Sequence, residues 1–267
     1  MREEVALDFE TGFYKRFLGM ISTHIIAKKI VFLEIVDSTN NYAKTLPDSA
    51  FTEKTVIIAD SQTAGRGRLG RGWVSHPGKG LYMSLLAGEP LDWYGASQFM
   101  ILSACGIRDA LSGLTRLDVK IKWPNDIYIG MKKICGILTE LTGTANGLSR
   151  FIIGIGININ QTAFDLGGLD RPATSLLAET GVPFDRAVVA AAVLNQLDKN
   201  YAHYLSGRDM GLFLEKYRKD CITIGKLVRL QNGTEGLAED IGENGTLLVR
   251  TNGRLLEVNS GEVTVSI

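Results

Sequence analysis

Basic residues cluster in one stretch of the chain that contains no acidic side chain, from Ser61 to Gly88. The cations are Arg66, Arg68, Arg71 and Lys79, and glycines stand at positions 65, 67, 70, 72, 78 and 80. Glycine lets the backbone approach a ligand, and the guanidinium fork matches two oxygens of a phosphate or carboxylate. The stretch therefore predicts an anion-binding loop, with a flexible, solvated basic loop as the alternative.

Two familiar glycine-rich phosphate loops do not fit this stretch. Residues 65–70 match the pattern GxGxxG, but in dinucleotide-binding folds a helix starts at those glycines, and here Pro77 and Gly78 mark a loop. A Walker loop is excluded because Lys79 is followed by Gly80, where a serine or threonine would hold Mg²⁺. The anion site must therefore be of another kind.

Lysines also flank a predicted turn at residues 122–126, with the sequence Lys-Trp-Pro-Asn-Asp. Strand alternation places the apolar side chains of 119–123 on one face and the lysines on the other. The turn can then present the Asp126 carboxylate beside the lysines, and Lys133 follows in the next apolar run. The alternative is an ordinary hairpin with solvated lysines and a turn aspartate.

Two further segments carry small or polar residues that a ligand can reach. Residues 154–160 alternate glycine or asparagine with isoleucine, so one strand face packs into the core and the other is nearly bare. A bare face admits a ligand, or it allows close packing of the strand against a helix. The sequence Asp-Ser-Thr-Asn at 37–40 precedes helical periodicity, so Asp37 or Ser38 can cap a helix. Capping explains one of these polar residues and leaves the others without a structural reason.

The elements that must position these residues alternate irregularly between strands and helices. Short β-branched runs predict strands at 30–36, 55–59, 80–87, 119–123, 134–141 and 150–159. Helical periodicity predicts helices at 38–46, 95–114 and 186–205. The tight link at Gly130 and Met131 predicts a hairpin. We therefore expect an α+β fold with a mixed or antiparallel sheet and helices on one face.

The two ends of the chain differ from this middle part. The first 28 residues, 1–28, predict an arm or short helix, because aromatic residues recur there at rough helical spacing: Phe9, Phe13, Tyr14 and Phe17. Near the C-terminus, short strands separated by Asn-Gly pairs predict a small SH3-like β-barrel. We expect the catalytic domain to span 29–221 and the barrel to span 222–267.

The composition excludes several classes of protein. Lysine plus arginine and aspartate plus glutamate each number 29, so no overall basic excess predicts a nucleic-acid partner. The three cysteines are widely spaced without a CxxC pair, which fits a reducing compartment. No apolar run approaches the roughly 18 residues of a membrane span. We expect a cytoplasmic protein that binds neither DNA nor membrane, and the choice between monomer and homodimer stays open.

In their order and spacing, these segments resemble the catalytic domain of the biotin protein ligases. The resemblance covers about 29–160, with the barrel as a looser match. It is carried by Ser38-Thr39-Asn40, Gln62 with Gly65 to Arg71, Lys122 to Asp126, Lys133 with Gly136, and Gly154 to Asn158. It implies a class II synthetase-like enzyme that uses ATP and Mg²⁺ to form biotinyl-5′-AMP with release of pyrophosphate. The enzyme then transfers biotin to a lysine of a biotin carboxyl carrier protein.

The resemblance also implies roles for individual residues. Those implied for biotin are polar or lie in the glycine-rich loop: Ser38, Thr39, Asn40, Gln62, Arg66, Gly67, Arg68 and Lys133. Those implied for the nucleotide are Arg66, Arg71, Trp73 stacked on adenine, and Asn158. Lys133, which would meet the reacting carboxylate and the α-phosphate, and Arg68 are the implied catalytic residues. Asp126 would help hold Mg²⁺.

Two features depart from the family, and two other functions compete. Leu69 stands where some relatives carry another basic residue, and 28 residues cannot hold a winged-helix domain, so we expect a ligase without repressor function. A lipoate ligase or octanoyl transferase of the same fold fits the segment 62–71 less well. A nucleic-acid or peptide module built on the barrel predicts basic strands. The barrel is instead acidic, with Glu235, Glu239, Asp240, Glu243, Glu257 and Glu262.

Overall fold

A seven-stranded mixed sheet forms the centre of the computed structural model, which describes residues 11–89, 95–145, 148–169, 171–207, 209–259, 261 and 263–265. Its strands are β1 Ile30–Val36, β2 Val56–Gln62, β3 Gly80–Glu89, β4 Val119–Lys122, β5 Asp126–Ile129, β6 Lys132–Ala145 and β7 Leu148–Asn158. They are ordered β1-β2-β3-β7-β6-β5-β4. The β1–β2 pair is parallel and the other pairs are antiparallel. The predicted α+β class and mixed sheet are confirmed.

Seven α-helices are described, of which the two longest, α4 and α6, pack on one face of the sheet. They are α1 Thr11–Met20, α2 Thr39–Lys44, α3 Asp48–Thr52, α4 Gly95–Thr115, α5 Leu176–Thr180, α6 Arg186–Gly207 and α7 Gly211–Asp220. Helices α4 and α6 pack closely at Gly106, where a Cβ would lie 2.9 Å from Leu197 Cδ2. Most of the apolar core lies between these helices and the sheet. The sequence patterns missed α3, α5 and α7, which are short.

The expectation of helices on one face holds only for the long helices. A second, smaller core lies on the opposite face, where α2 and α3 bring Ala43 and Phe51 against Ile57, Leu86 and Ile152. Alternate residues of β2, β3 and β7 point to that side and are apolar there. The sheet is therefore buried on both faces at the end that leads into α2.

Five antiparallel strands near the C-terminus form a second sheet, in the order β11-β10-β9-β8-β12. They are β8 Leu227–Leu230, β9 Glu235–Ile241, β10 Leu247–Thr251, β11 Arg254–Val258 and β12 Val263–Val265. This agrees with the predicted SH3-like barrel. Gly233 and Gly253 occupy tight turns at φ of 84° and 76°, a backbone conformation that glycine adopts without steric cost. The apolar core of this sheet is continuous with the main core, so the domain boundary at 222 stays a prediction.

Other expectations concern the chain as a whole. All three cysteines are free, which agrees with the expectation from their spacing, and the structure shows that all three are buried. None of the helices in the described ranges is both long and apolar enough to cross a membrane. The predicted aromatic helix near the N-terminus corresponds to α1, in which Phe13 and Phe17 are buried, whereas Phe9 lies outside the described residues.

The segment that leads into β1 is anchored by one buried carboxylate. Asp198 of α6 accepts backbone N–H bonds from His24, Ile25 and Ile26 at 2.9, 2.7 and 2.8 Å. We predict that Asp198→Ala lowers the free energy of unfolding by about 2–4 kcal/mol, because three partly or fully buried donors lose their acceptor. Urea unfolding followed by circular dichroism measures the change. Asp48→Ala, which removes a half-exposed partner of Arg150, should cost less than about 1 kcal/mol. Equal midpoints for the two variants would contradict the anchoring role.

Candidate active site

A cavity of about 450 Å³ opens where β2, β6 and β7 meet the glycine-rich loop. Every residue to which the family resemblance assigned a role lines it: Ser38, Thr39, Asn40, Gln62, Arg66, Gly67, Arg68, Arg71, Trp73, Asp126, Lys133 and Asn158. These residues come from segments up to about 120 positions apart in the chain. The fold therefore assembles one site from all four sequence segments.

Hydrogen-bonded polar side chains line one side of the cavity. Ser38 stands at the N-cap position of α2, as predicted, but its side chain makes no capping hydrogen bond. Gln62 Oε1 accepts the Thr39 backbone N–H at 2.9 Å, and Gln62 Nε2 donates to Ser75 Oγ at 2.9 Å. Ser38, Thr39 and Asn40 are each only 2–3% exposed. The two bonds of Gln62 therefore hold the Thr39 backbone and the Ser75 side chain next to each other at this side of the cavity.

Side chains, rather than a bare surface, cover the glycines of β7. A Cβ on Gly154 would lie 2.4 Å from Asn40 Oδ1, and a Cβ on Gly156 would lie 2.5 Å from Cε2 of Trp73. Gly136 of β6 is paired with Gly156, and its Cβ would lie 3.0 Å from Trp73 Cζ3. Close packing against a helix, one predicted alternative, occurs at Gly154 through Asn40 of α2. The paired glycines 136 and 156 instead form a slot for the Trp73 indole.

The glycine-rich loop folds back on itself as a short hairpin. Trp73 N–H donates to Gly65 O at 2.8 Å, and Gly67 N–H donates to Arg71 O at 2.7 Å. The two arginines near its tip point to different sides of the cavity. Arg66 Nη1 donates to Asn41 Oδ1 at 2.8 Å, and Arg68 Nη1 donates to Asn125 Oδ1 at 3.0 Å. The loop thus bridges α2 and the β4–β5 turn.

The β4–β5 turn presents the Asp126 carboxylate, as the sequence predicted, and the structure pairs it with Lys133 of β6. Lys133 Nζ lies 2.7 Å from Asp126 Oδ1 and 5.4 Å from the centre of the Trp73 ring. The turn itself is supported from outside the cavity. Tyr217 OH of α7 donates to Pro124 O at 2.9 Å, and Trp123 Nε1 donates to Gly245 O of the barrel at 2.9 Å. The barrel and α7 therefore support the turn that leads to Asp126, the partner of Lys133.

A second loop, between β7 and α5, completes the cavity, and no sequence motif indicated it. It contributes Gln161, Asp165, Leu166, Leu169, Arg171 and Ala173. Both carboxylate oxygens of Asp165 accept from Lys79 Nζ, at 2.7 and 2.6 Å. This bond, together with bonds from Thr162, holds the pKa of Asp165 well below its usual range. Lys79, predicted as an anion contact, is instead engaged by an aspartate 86 residues away.

The described residues offer no ready-made metal cage. In those ranges, no three histidine, cysteine, aspartate or glutamate side chains converge on one point. Asp126 is a single carboxylate, and Lys133 already lies against it. Mg²⁺ that is held mainly by substrate phosphates needs only one or two protein carboxylates. Asp126 therefore fits a metal that arrives with a nucleotide, and not one bound by protein alone.

Comparison with known proteins places this fold and cavity in a family. Residues 32–158 match the Biotin/lipoate A/B protein ligase family. The bifunctional ligase/repressor BirA of Bacillus subtilis is 34% identical over 249 residues, which are 91% of this chain and 76% of that protein. The biotin–[acetyl-CoA-carboxylase] ligase of Paracoccus denitrificans is 31% identical over 227 residues, which are 80% of this chain and 91% of that protein.

Solved structures agree with these relatives. Biotin protein ligase from Aquifex aeolicus, in complex with biotin and ATP, superposes with a TM-score of 0.77 at 32% identity. The match covers 89% of this chain and 98% of that one. The fold and the cavity thus define a ligase domain of the biotin/lipoate type. With relatives above 30% identity over most of both lengths, the chain belongs to the biotin protein ligase family.

The glycine slot generates a direct prediction. In Gly156→Ala the new methyl group meets the indole at 2.5 Å, closer than real Cβ contacts come, so Trp73 should leave the slot. We expect acrylamide to quench tryptophan fluorescence more strongly in this variant. Gly72→Ala is the matched control, because its Cβ meets nothing nearer than Gly65 O at 4.0 Å. Unchanged quenching in Gly156→Ala would show that the indole does not depend on the slot.

Proposed function

We propose that the cavity binds biotin and ATP side by side, and that the protein joins them into biotinyl-5′-AMP before biotin passes to a carrier lysine. The observation that supports this proposal is that the cavity has two chemically different sides. The Thr39 and Gln62 side offers ordered polar groups that suit a cyclic urea, and the Lys133 side offers cations that suit a carboxylate and a phosphate. Leu138, which pairs with Gly154 and also lines the cavity, offers an apolar surface that suits an aliphatic linker.

The first reaction joins two anions, so its main requirement is charge neutralisation. A biotin carboxylate oxygen attacks the α-phosphorus of ATP, the bond to the bridging oxygen breaks, and pyrophosphate leaves with that electron pair. Lys133 and Arg68 lie on the same side of the cavity, where Asp126 and Asn125 hold them. Their positive charges align the two anions and stabilise the charge that builds up on the phosphoryl oxygens. Mg²⁺, held by phosphates and Asp126, would add further neutralisation.

No protein nucleophile is needed for this chemistry, and the cysteines are unsuited to supply one. None of the three lines the cavity, and burial raises the pKa of Cys105 to about 12. In the second reaction, the amine of a carrier lysine attacks the carbonyl carbon of the mixed anhydride, and AMP leaves. The acceptor we propose is the biotin carboxyl carrier domain of a biotin-dependent carboxylase. The relative from Paracoccus denitrificans, named for acetyl-CoA carboxylase, supports this choice.

The nucleotide contacts remain proposals for Arg66, Arg71, Trp73 and Asn158. Asn158 Nδ2 donates to Thr174 O at 2.9 Å, so the amide oxygen of Asn158 is the atom that would accept from the nucleotide. Arg66 is bonded to Asn41, so it must exchange that partner to reach a phosphate. A lipoate or octanoate ligase is the alternative within the family. A thin aliphatic acid would leave the polar side of the cavity unpaired, at a cost that argues against it.

One prediction from this proposal concerns Lys133. Lys133→Ala should lower the rate of biotin-dependent exchange of pyrophosphate into ATP by roughly 30- to 1,000-fold, since a charge that stabilises the transition state is worth about 2–4 kcal/mol. Lys132→Ala is the control. Its ammonium is paired with Glu179 at the strand edge, outside the cavity lining, so exchange should stay within about twofold. Near-normal exchange in Lys133→Ala would remove the assigned role.

The second prediction concerns Arg68 as a latch over the intermediate. Its bond to Asn125 ties the loop to the β4–β5 turn, and closure protects a reactive anhydride from escape. Arg68→Gly should still form the adenylate but release it, so that lysines of an unrelated protein become biotinylated. A blot for biotin on serum albumin incubated with the variant, biotin and ATP measures this release. Labelling no stronger than with wild type would reduce Arg68 to a phosphate contact that affects only the KM for ATP.

A further inference from the structure

A continuous chain of polar side chains runs behind the proposed biotin site, from Lys44 to Thr39. Glu140 of β6 accepts from Lys44 Nζ on one oxygen and from Asn40 Nδ2 on the other, both at 2.8 Å. Asn40 Oδ1 lies 2.6 Å from Ser84 Oγ, and Ser84 Oγ lies 2.8 Å from Thr39 Oγ1. Ser84 is fully buried, and neither it nor Glu140 lines the cavity.

The number of protons in this chain fixes the direction of its hydrogen bonds. Each short oxygen–oxygen contact needs one proton between its two atoms. Asn40 Oδ1 carries none, so the Ser84 hydroxyl proton must lie toward Asn40. The contact between Ser84 and Thr39 then requires the Thr39 proton. Thr39 Oγ1 is left with lone pairs only, and it can offer a cavity ligand nothing but an acceptor.

Glu140 is the group that sets this direction. A carboxylate has no proton to give, so the amide nitrogen of Asn40 must face it and the amide oxygen must face Ser84. Burial on its own would raise the pKa of Glu140, but hydrogen bonds from Lys44 and Asn40 outweigh it and lower that pKa, so the carboxylate is ionised at neutral pH. Gln62 cannot reverse the chain, because its oxygen, which accepts the Thr39 backbone N–H at 2.9 Å and lies 3.2 Å from Thr39 Oγ1, has no proton to donate.

We propose that Glu140 and Ser84 are positioning residues that fix the Thr39 hydroxyl as an acceptor and so select a ligand with an N–H group at that point. The inference rests on the proposed function, in which Thr39 contacts the cyclic urea of biotin. A urea N–H donates to Thr39 Oγ1. An oxygen in the same place is a second acceptor, and the lone pairs of the two oxygens repel each other. The site therefore discriminates between ring N–H and ring oxygen, although neither Glu140 nor Ser84 touches the ligand.

The test measures this discrimination rather than activity alone. The probes are biotin and its two cyclic carbamate analogues, in each of which oxygen replaces one ureido N–H. With wild type, we expect one of the two analogues to show a kcat/KM in pyrophosphate exchange roughly 10- to 100-fold below that of biotin, because a buried acceptor is left facing another acceptor. The KM for ATP should be the same with all three probes.

Two variants break the chain at different points. In Glu140→Gln, Lys44 retains the amide oxygen and the amide nitrogen turns to Asn40, so Asn40 flips and every later hydrogen bond reverses. In Ser84→Ala, the Thr39 proton loses its nearer acceptor at 2.8 Å, and an analogue oxygen in the cavity can take it in competition with Gln62 Oε1, which lies 3.2 Å away. Both variants should bring the ratio between biotin and the rejected analogue to within about threefold.

Glu140→Asp, which keeps a pure acceptor, should preserve the ratio even if the KM for biotin rises. Glu239→Gln, an exposed ion-pair partner of Arg250 in the barrel, is the matched control.

The outcomes separate this inference from the function beneath it. If wild type shows no biotin-dependent exchange, the proposed function fails. If wild type is active and rejects neither analogue, Thr39 is not a fixed acceptor. If Glu140→Gln and Ser84→Ala slow biotin and both analogues equally, with the ratio intact, the two residues act only on structure. Circular dichroism of each variant establishes that it is folded, and Ser84→Ala provides the decision if Glu140→Gln does not fold.

Discussion

The antiparallel pairing of β6 with β7 is the constraint on which the site depends. Its register sets Gly136 opposite Gly156, so two residues without side chains lie next to each other in the middle of the sheet. The absence of side chains at these two positions leaves the space that the Trp73 indole occupies. A slip of β7 by one residue would turn its isoleucines toward the loop, because side chains alternate between the two faces. The same register carries Glu140 toward α2, where it meets Asn40.

Partly exposed ion pairs hold three lysines in place in and around the cavity. Lys133 is paired with Asp126, Lys79 with Asp165, and Lys44 with Glu140. Each pairing reduces the repulsion between that lysine and the arginines of the neighbouring loop. A partner such as Asp126 also limits the conformations open to a long lysine side chain before the substrates arrive. The carboxylates therefore order these lysines, and the cavity retains other cations that can bind anions.

The C-terminal barrel belongs to this arrangement more than its sequence indicates. The turn that carries Asp126 is fixed by Tyr217 of α7 and, through Trp123, by Gly245 of the barrel. The barrel core is also continuous with the core of the main sheet. A short hairpin turn at the mouth of a cavity is normally free to move. Here the barrel supports it, so a small, acidic sheet outside the cavity affects the position of Asp126 and, through that carboxylate, the position of Lys133.

The sequence by itself determined the local features, because each depends on near neighbours in the chain. The Gly-Ile alternation of β7, the hairpin at Gly130 and the basic character of the 65–79 loop are all properties of short segments, and the structure has each of them. The family resemblance rests on the same segments. It therefore indicated which residues gather at the cavity without indicating how they contact one another.

Only the tertiary structure decided which partner each side chain takes. Lys79 reads as a free cation, yet it is held by Asp165, and the glycine face of β7 reads as bare, yet Asn40 and Trp73 cover it. The chain from Glu140 to Thr39 joins residues about 100 positions apart, on three different elements. Periodicity reports which face of an element is buried, and it carries no information about which distant element lies against that face. Those contacts form only when the sheet closes on its helices and loops.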